Sequence, residues 1–300
     1  MHPVILALAR LTRPANLPTA AADILAGASI AGIIPAAIQS LPIAVTDTYN
    51  LLFLVLASVF LYAGGVTLND VFDAELDKTE RPERPIPSGI ISIRSAATFG
   101  GLLLLAGVIM GFLSSNASGI IACILAVSIL LYDSFSKKFG FLGPLNMGIC
   151  RGLNLVLGMS VLGEINWFWY AIIPLVYIFA ITMISRGEVH GSNKRHIVLA
   201  AILYICVIIS ILTIVLLSSA NNYTGILYLL FFSVVIFRPL TKAYTVNSPE
   251  NIKKAVVAGI LSLIIMDASL AVAFSGWWYG LLVILLLPLS VWLSRIFAVT

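Results

Sequence analysis

Three aspartates, Asp70, Asp73 and Asp77, stand at i, i+3 and i+7 within the stretch Thr67–Gly89. On a continuous helix that spacing puts all three carboxylates on one face, with Asn69 beside them. Like charges so placed repel and destabilise a helix, so the pattern calls for something positive between them. All-oxygen donors suit Mg²⁺, which keeps several waters and shares its other positions with substrate phosphates. Phosphate donors follow directly: Arg81 and Arg84 can offer forked N–H groups to the same oxygens, and Pro82, Pro85 and Pro87 hold an extended turn around them. The expectation is a Mg²⁺ site with Asp70, Asp73 and Asp77 as metal ligands, facing a phosphorylated substrate. The plainer alternative is a solvated acidic loop, a reading that suits Glu75, Glu80 and Glu83, which lie off that face.

The elements that must position this chemistry are apolar. Hydrophobic residues make up 60% of the 300 residues and charged ones 10%, against about 25% charged in soluble domains. A soluble fold of this length cannot hide so much apolar surface. A membrane-spanning helix needs about 20 mostly apolar residues, and ten runs qualify: 18–40, 50–68, 95–115, 118–135, 143–163, 167–185, 197–218, 223–240, 255–274 and 277–297. None alternates polar with apolar residues as a barrel strand would. The chain therefore reads as all-α, a polytopic transmembrane bundle of about nine to ten spans, with residues 1–300 forming one integral membrane domain.

Orientation follows from the loops. Residues 41–49, 114–118, 163–167, 218–223 and 275–277 hold no Lys or Arg, whereas the alternate loops hold nearly all of them. The positive-inside rule places the basic loops and both termini in the cytoplasm of a bacterial-type plasma membrane. The net charge of +4 is thus a topology signal, and no nucleic-acid partner is expected. The opening residues lack the basic region and cleavage site of a signal peptide. Cys123, Cys150 and Cys206 sit in apolar runs with no metal or disulfide spacing. Trp167, Trp169, Tyr170, Trp277, Trp278 and Tyr279 fall at outer span ends and suit an aromatic belt. Gly64, Gly65, Gly148, Gly152 and Gly158 suit close helix packing, or open space for an apolar ligand.

Ionisable residues at bilayer depth cost about 2.5–3.5 kcal/mol each on insertion scales, so each is a functional candidate. Arg151 and Asn154, one turn apart, can meet a substrate or make an interhelical hydrogen bond. Asp23 can pair with Arg151 or line a pocket. Asp267 carries the wrong sign for direct contact with a phosphate. Lys137, at a span's cytoplasmic end, suits a helix C-terminus. Between the sixth and seventh runs, Arg186, Glu188 and His190 form a second polar group. Arg186 can bind an anion, and Glu188 and His190 can share a metal or touch a second substrate; a polar helix end is an equally good account.

Asn69-Asp70-x-x-Asp73-x-x-x-Asp77, followed by Arg81-Pro82-x-Arg84-Pro85-x-Pro87-Ser88-Gly89, resembles the first aspartate motif of the UbiA superfamily of intramembrane prenyltransferases. Arg10-Leu-Thr-Arg13-Pro14-Ala-Asn16-Leu17 is similar to the family's lead-in to its first helix. Tyr132-Asp133-Ser-Phe-Ser-Lys137-Lys138 and Gly143-Pro144 look like its fourth-helix exit. The resemblance implies a UbiA-like fold open laterally to lipid, with a tenth helix at 277–297. It implies a Mg²⁺-dependent transferase that moves an isoprenoid chain from a polyprenyl diphosphate to a lipophilic or aromatic acceptor. Asp70, Asp73 and Glu188 would be catalytic. Arg13, Asn16, Asn69, Arg81, Arg84, Lys137, Arg151, Asn154, Arg186 and His190 would bind substrates. The partners so implied are prenyl diphosphate, acceptor and membrane lipid, and the sequence points to no protein partner. The match departs from the family after the sixth span, where Glu188 stands alone in place of paired aspartates. The string Ser185-Arg-Gly-Glu-Val-His-Gly191 resembles a divergent branch, the UbiA-like EboC proteins. A different class, a lipid or metabolite carrier on the same fold, is the alternative, although no pair of Gly/Pro-interrupted spans marks a transporter repeat.

Overall fold

The computed structural model describes residues 3–33, 45–188, 193–218 and 223–297, and all regular structure among them is helical. In chain order the helices are α1 (Pro3–Leu11), α2 (Leu17–Ile30), α3 (Val45–Phe72), α4 (Ala74–Glu80), α5 (Ile93–Ser114), α6 (Asn116–Ser134), α7 (Leu142–Met159), α8 (Ile172–Ser185), α9 (Lys194–Leu217), α10 (Gly225–Thr245), α11 (Pro249–Phe274), α12 (Trp277–Ile284) and α13 (Leu286–Ile296). Nine helical segments among the described residues are long and apolar enough to cross a bilayer, and the chain is an integral membrane protein. They match nine of the ten expected runs. The other, 18–40, holds α2 and then passes outside the described residues. Three of the helices, α5, α6 and α11, begin at a hydroxyl cap: Ser92, Ser115 and Ser248 accept from the amides of Ser95, Ser118 and Asn251.

α11 is the axis of the bundle. Every residue from Ser262 to Ala273 is buried, as a helix apolar on all sides should be when other helices surround it. α9 is peripheral and turns Ile202, Ile205 and Ile209 outward, toward lipid. α2 and α7 cross at bare backbone. A Cβ on Gly27 would lie 2.5 Å from the Leu155 carbonyl oxygen, and one on Gly158 would lie 2.6 Å from that of Ile24. Gly148 approaches the Leu175 carbonyl oxygen of α8 equally closely, at 2.5 Å from its ideal Cβ. Small residues permit these approaches, and dispersion over the close surfaces holds helices together in lipid. Gly65 serves both expected uses, since it packs on Ile129 and also lines a cavity.

Two expectations change. The run 277–297 is two helices, α12 and α13, broken at Leu285. Tyr279 is not part of an aromatic belt. It is buried, and its hydroxyl donates to the Leu25 carbonyl at 3.0 Å, because α12 leans on the bundle at that point. Trp167, Trp169, Trp277 and Trp278 are exposed as a belt requires.

Candidate active site

α3 carries the aspartate motif to the membrane surface, and α4 continues it after a break at Asp73 (φ −91°, ψ 2°). Helical hydrogen bonds persist through the break. The amides of Asp73, Asp77 and Arg81 donate to the carbonyls of Asn69, Asp73 and Asp77 at 3.0, 2.8 and 2.9 Å. The expected one-sided array of carboxylates is therefore formed. A cation opposes each member. Arg13 Nη2 lies 2.8 Å from Asp70 Oδ1, and Arg84 Nη1 bridges Asp70 Oδ1 at 3.2 Å and Asp77 Oδ2 at 2.7 Å. Lys137 Nζ lies 2.6 Å from Asp73 Oδ1 and 3.8 Å from Asp133 Oδ1. Asp70 and Asp77 are buried. Arg13 adopts a left-handed backbone (φ 47°, ψ 65°), uncommon for a residue with a side chain. That conformation begins the turn into Pro14–Asn16 and leaves the guanidinium on Asp70.

The convergence of Asp70, Asp73 and Asp77 on one ion is not what the side chains show. Among the described residues no three His, Cys, Asp or Glu groups come together as a ligand set. Each carboxylate of the motif is instead paired with a cation, Arg84 being shared by Asp70 and Asp77, which relieves the repulsion that the i, i+3, i+7 spacing creates. The donors gathered here are carboxylate and amide oxygens, and that chemistry fits Mg²⁺.

Beside these ion pairs, and reaching them through Arg13, Asn69 and Asp133, lies a cavity of about 400 Å³. Arg13, Asn16, Asn69, Tyr132, Asp133 and Glu188 line its polar end. Leu61, Val66, Ile129, Met147, Ile181 and Ile260 are among its apolar walls. Thr19, Ser58, Arg151 and Asn154 line it deeper in, Arg151 being about 13 Å along α7 from Leu142. The cavity thus joins a charged head to an apolar shaft.

The fold therefore gathers Arg13, Asn16, Asn69, Asp70, Asp73, Asp77, Arg84, Lys137 and Glu188 at or beside one end, and sorts the other candidates elsewhere. Arg151 and Asn154 face the same cavity from its inner end, where Arg151 pairs with Asp23 at 2.7 Å. Arg186 is exposed and donates to the Phe139 carbonyl at 2.8 Å, bracing the loop after α6 rather than lining the cavity. Arg81 is exposed, and its charge reaches Glu188. Burial pushes the Glu188 carboxyl above its ordinary value, and Arg81 and Lys253 only partly offset this. His190 lies outside the described residues.

Asp133, part of the Tyr132–Lys138 motif but given no role by it, is a further site residue. It is buried, lines the cavity and accepts from Asn69 Nδ2 at 2.7 Å. It thereby ties the end of α6 to the aspartate motif. A carboxylate in the last turn of a span, four residues before Lys137, was the available signal.

The profile of the UbiA prenyltransferase family matches residues 28–264. The digeranylgeranylglyceryl phosphate synthase of Metallosphaera sedula is 34% identical over 145 residues, 48% of this chain and 51% of that one. The synthase of the same name from Methanosphaera stadtmanae is 28% identical over 201 residues, 62% of this chain and 72% of that one. The chain spans about half the length of the first of these curated relatives. Among solved structures, a UbiA homolog from Archaeoglobus fulgidus bound to DMAPP and Mg²⁺ superposes with a TM-score of 0.64 at 15% identity, covering 88% of this chain and 99% of that one. At that identity the likeness speaks for the fold.

Proposed function

Because the chain belongs to the UbiA prenyltransferase family, we propose that it moves an isoprenoid chain from a prenyl diphosphate to a lipophilic acceptor at the polar end of this cavity. The observation that carries the reading is the arrangement itself. Three cations and four carboxylates pair beside the polar end of a cavity with apolar walls, and Arg13 and Asp133 of that set line the cavity itself. Arg13, Arg84 and Lys137 are the donors for diphosphate oxygens, with the carboxylates holding them in place until substrate arrives. Asp70 and Asp73, with Asn69 and Asp133 beside them, are the oxygen donors that would hold Mg²⁺. When bound, Mg²⁺ supplies neutralisation of the charge that develops on the departing diphosphate. The apolar walls hold the isoprenoid tail and keep water from the allylic cation.

Geranylgeranyl diphosphate is the donor to try first, since relatives are named digeranylgeranylglyceryl phosphate synthases. Within the family we place the chain nearer the EboC-like branch, on the Ser185–Gly191 string with its single carboxylate. The test is turnover by protein in lipid, given labelled geranylgeranyl diphosphate, Mg²⁺ and a cell lipid extract as acceptor pool. A prenylated product is expected that depends on Mg²⁺ and falls about 100-fold or more in Asp73→Ala, as for loss of an electrostatic group at a reacting centre. Glu188→Gln reports whether the second loop takes part. Diphosphate binding without product, across several chain lengths and acceptor pools, would replace the transferase with a carrier.

A further inference from the structure

Behind the inner end of the cavity lies a charge cluster that prenyl transfer at the polar end does not use. Asp23 of α2 and Asp267 of α11 are both wholly buried, and Arg151 of α7 stands between them. Arg151 Nε is 2.7 Å from Asp23 Oδ2, and its Nη2 is 3.9 Å from Asp267 Oδ2. The guanidinium also donates to the Thr19 hydroxyl at 3.3 Å and to the Thr19 carbonyl. Asn154 Nδ2 donates to Asp23 Oδ2 at 2.7 Å and to the Ala20 carbonyl at 3.0 Å. From α8, the Tyr177 hydroxyl is engaged by Ser262 and the Gly259 carbonyl.

Two carboxyls therefore meet one cation, and among the described residues no second cation pairs with either. Among the described residues no N–H or O–H group donates to Asp23 Oδ1 or to either oxygen of Asp267. Both carboxyls border the one guanidinium, at 2.7 Å and 3.9 Å. An uncompensated carboxylate in a low-dielectric interior takes up a proton rather than stay ionised. One proton between the pair supplies the missing donor and brings the cluster to neutrality.

We propose that Asp23 and Asp267 share one proton around Arg151, and that the inner end of the cavity, its charge so cancelled, binds an uncharged hydrogen-bonding group such as the hydroxyl or carbonyl of a lipid-soluble molecule. Thr19, Ser58, Arg151 and Asn154 present polar atoms there beneath apolar walls. An anion arriving there meets a guanidinium already held by Asp23. An amine meets no net negative charge. A neutral hydroxyl meets neither obstacle. The inference stands whether or not the polar end carries out prenyl transfer.

Two measurements on the full-length protein in lipid test it. The first is the infrared difference spectrum of wild type against Asp267→Asn at neutral pH. Wild type is expected to show the C=O stretch of a protonated carboxyl that the variant lacks, whichever oxygen carries the proton. Its absence from wild type overturns the shared proton. The second uses farnesol, farnesoic acid and farnesylamine, each with a photoreactive diazirine beside its head group, and maps the labelled peptides. Farnesol is expected to label α2 and α7 around Thr19, Arg151 and Asn154 in wild type and Asp267→Asn alike, with the acid and the amine labelling there at least about tenfold less. Asp23→Asn/Asp267→Asn frees Arg151 and is expected to turn labelling at that end toward the acid. Farnesol labelling only near Arg13 and Lys137, or acid labelling the inner end of wild type as well as farnesol does, overturns the site. If the double variant does not fold, the spectrum and the wild-type labelling still decide.

Discussion

At the residue scale, Arg84 is the linchpin of the polar end. One of its nitrogens, Nη1, serves Asp70 and Asp77 together, and all three side chains are largely shielded from solvent. Removing one partner of a buried charge pair costs about 3–5 kcal/mol, because the other charge is left uncompensated. Arg84→Ala is therefore expected to lower the melting temperature in lipid markedly. Arg84→Lys should recover much of that loss, since both contacts leave a single nitrogen and a point charge can occupy that position, although lysine lacks the fork that suits diphosphate. Stability restored while diphosphate affinity stays low would separate the structural from the binding role. Equal melting of Arg84→Ala and wild type would remove Arg84 from the site's framework. The sequence made Asp70, Asp73, Asp77 and Arg84 legible through spacing alone. It could not say that the nearest positive neighbours of the carboxylates are protein cations, because Arg13 and Lys137 reach the motif from distant helices. Asp133, visible in the fourth-helix motif, received no role there for the same reason, since its partner Asn69 is 64 positions away in the chain.

At the element scale, the spans were readable because lipid imposes length and apolarity on every crossing helix. Breaks within them lie outside that rule. Nothing in hydropathy marks the turn at Asp73, and the division of 277–297 at Leu285 is marked not by hydropathy but by Pro288, which has no N–H to give the Ile284 carbonyl. Nor does hydropathy say which helix faces which. The α2–α7 crossing rests on Gly27 and Gly158, and the same crossing brings Thr19, Asp23, Arg151 and Asn154 together. A methyl on Gly27 would fall 2.5 Å from a backbone carbonyl oxygen that cannot rotate away. Overpacking of that kind costs about 1–3 kcal/mol. Gly27→Ala is expected to melt earlier and to weaken farnesol labelling at the inner end, because the helices must part where that end is built. Gly101→Ala, whose Cβ would meet nothing within 4 Å, is the control, and should be neutral or slightly stabilising through its better helix propensity. Equal behaviour of the two variants would mean that α2 and α7 are not held at this crossing.

At the scale of the whole molecule, charge is sorted by side. Lys78, Arg81, Arg84, Arg94, Lys137, Lys138, Lys194, Arg195, Lys242, Lys253 and Lys254 all sit at or beside helix ends that alternate with the aromatic-rich ends around Trp167–Tyr170 and Trp277. The polar end of the cavity belongs to the basic side. The positive-inside rule leads us to expect the cavity's head on the cytoplasmic side. This matters chemically, because a diphosphate does not cross a bilayer unaided, so the side on which the head lies decides which pool can supply it. Single cysteines at Ser88 and Asn166, both exposed, read the orientation directly. A membrane-impermeant maleimide added to intact cells is expected to label Asn166→Cys at once and Ser88→Cys only after permeabilisation, with the native cysteines Cys123, Cys150 and Cys206 replaced by alanine beforehand. The reverse pattern would put Arg13, Arg84 and Lys137 outside the cell, where a cytoplasmic diphosphate could not reach them, and the donor for this cavity would then have to be sought among molecules already carried across the membrane.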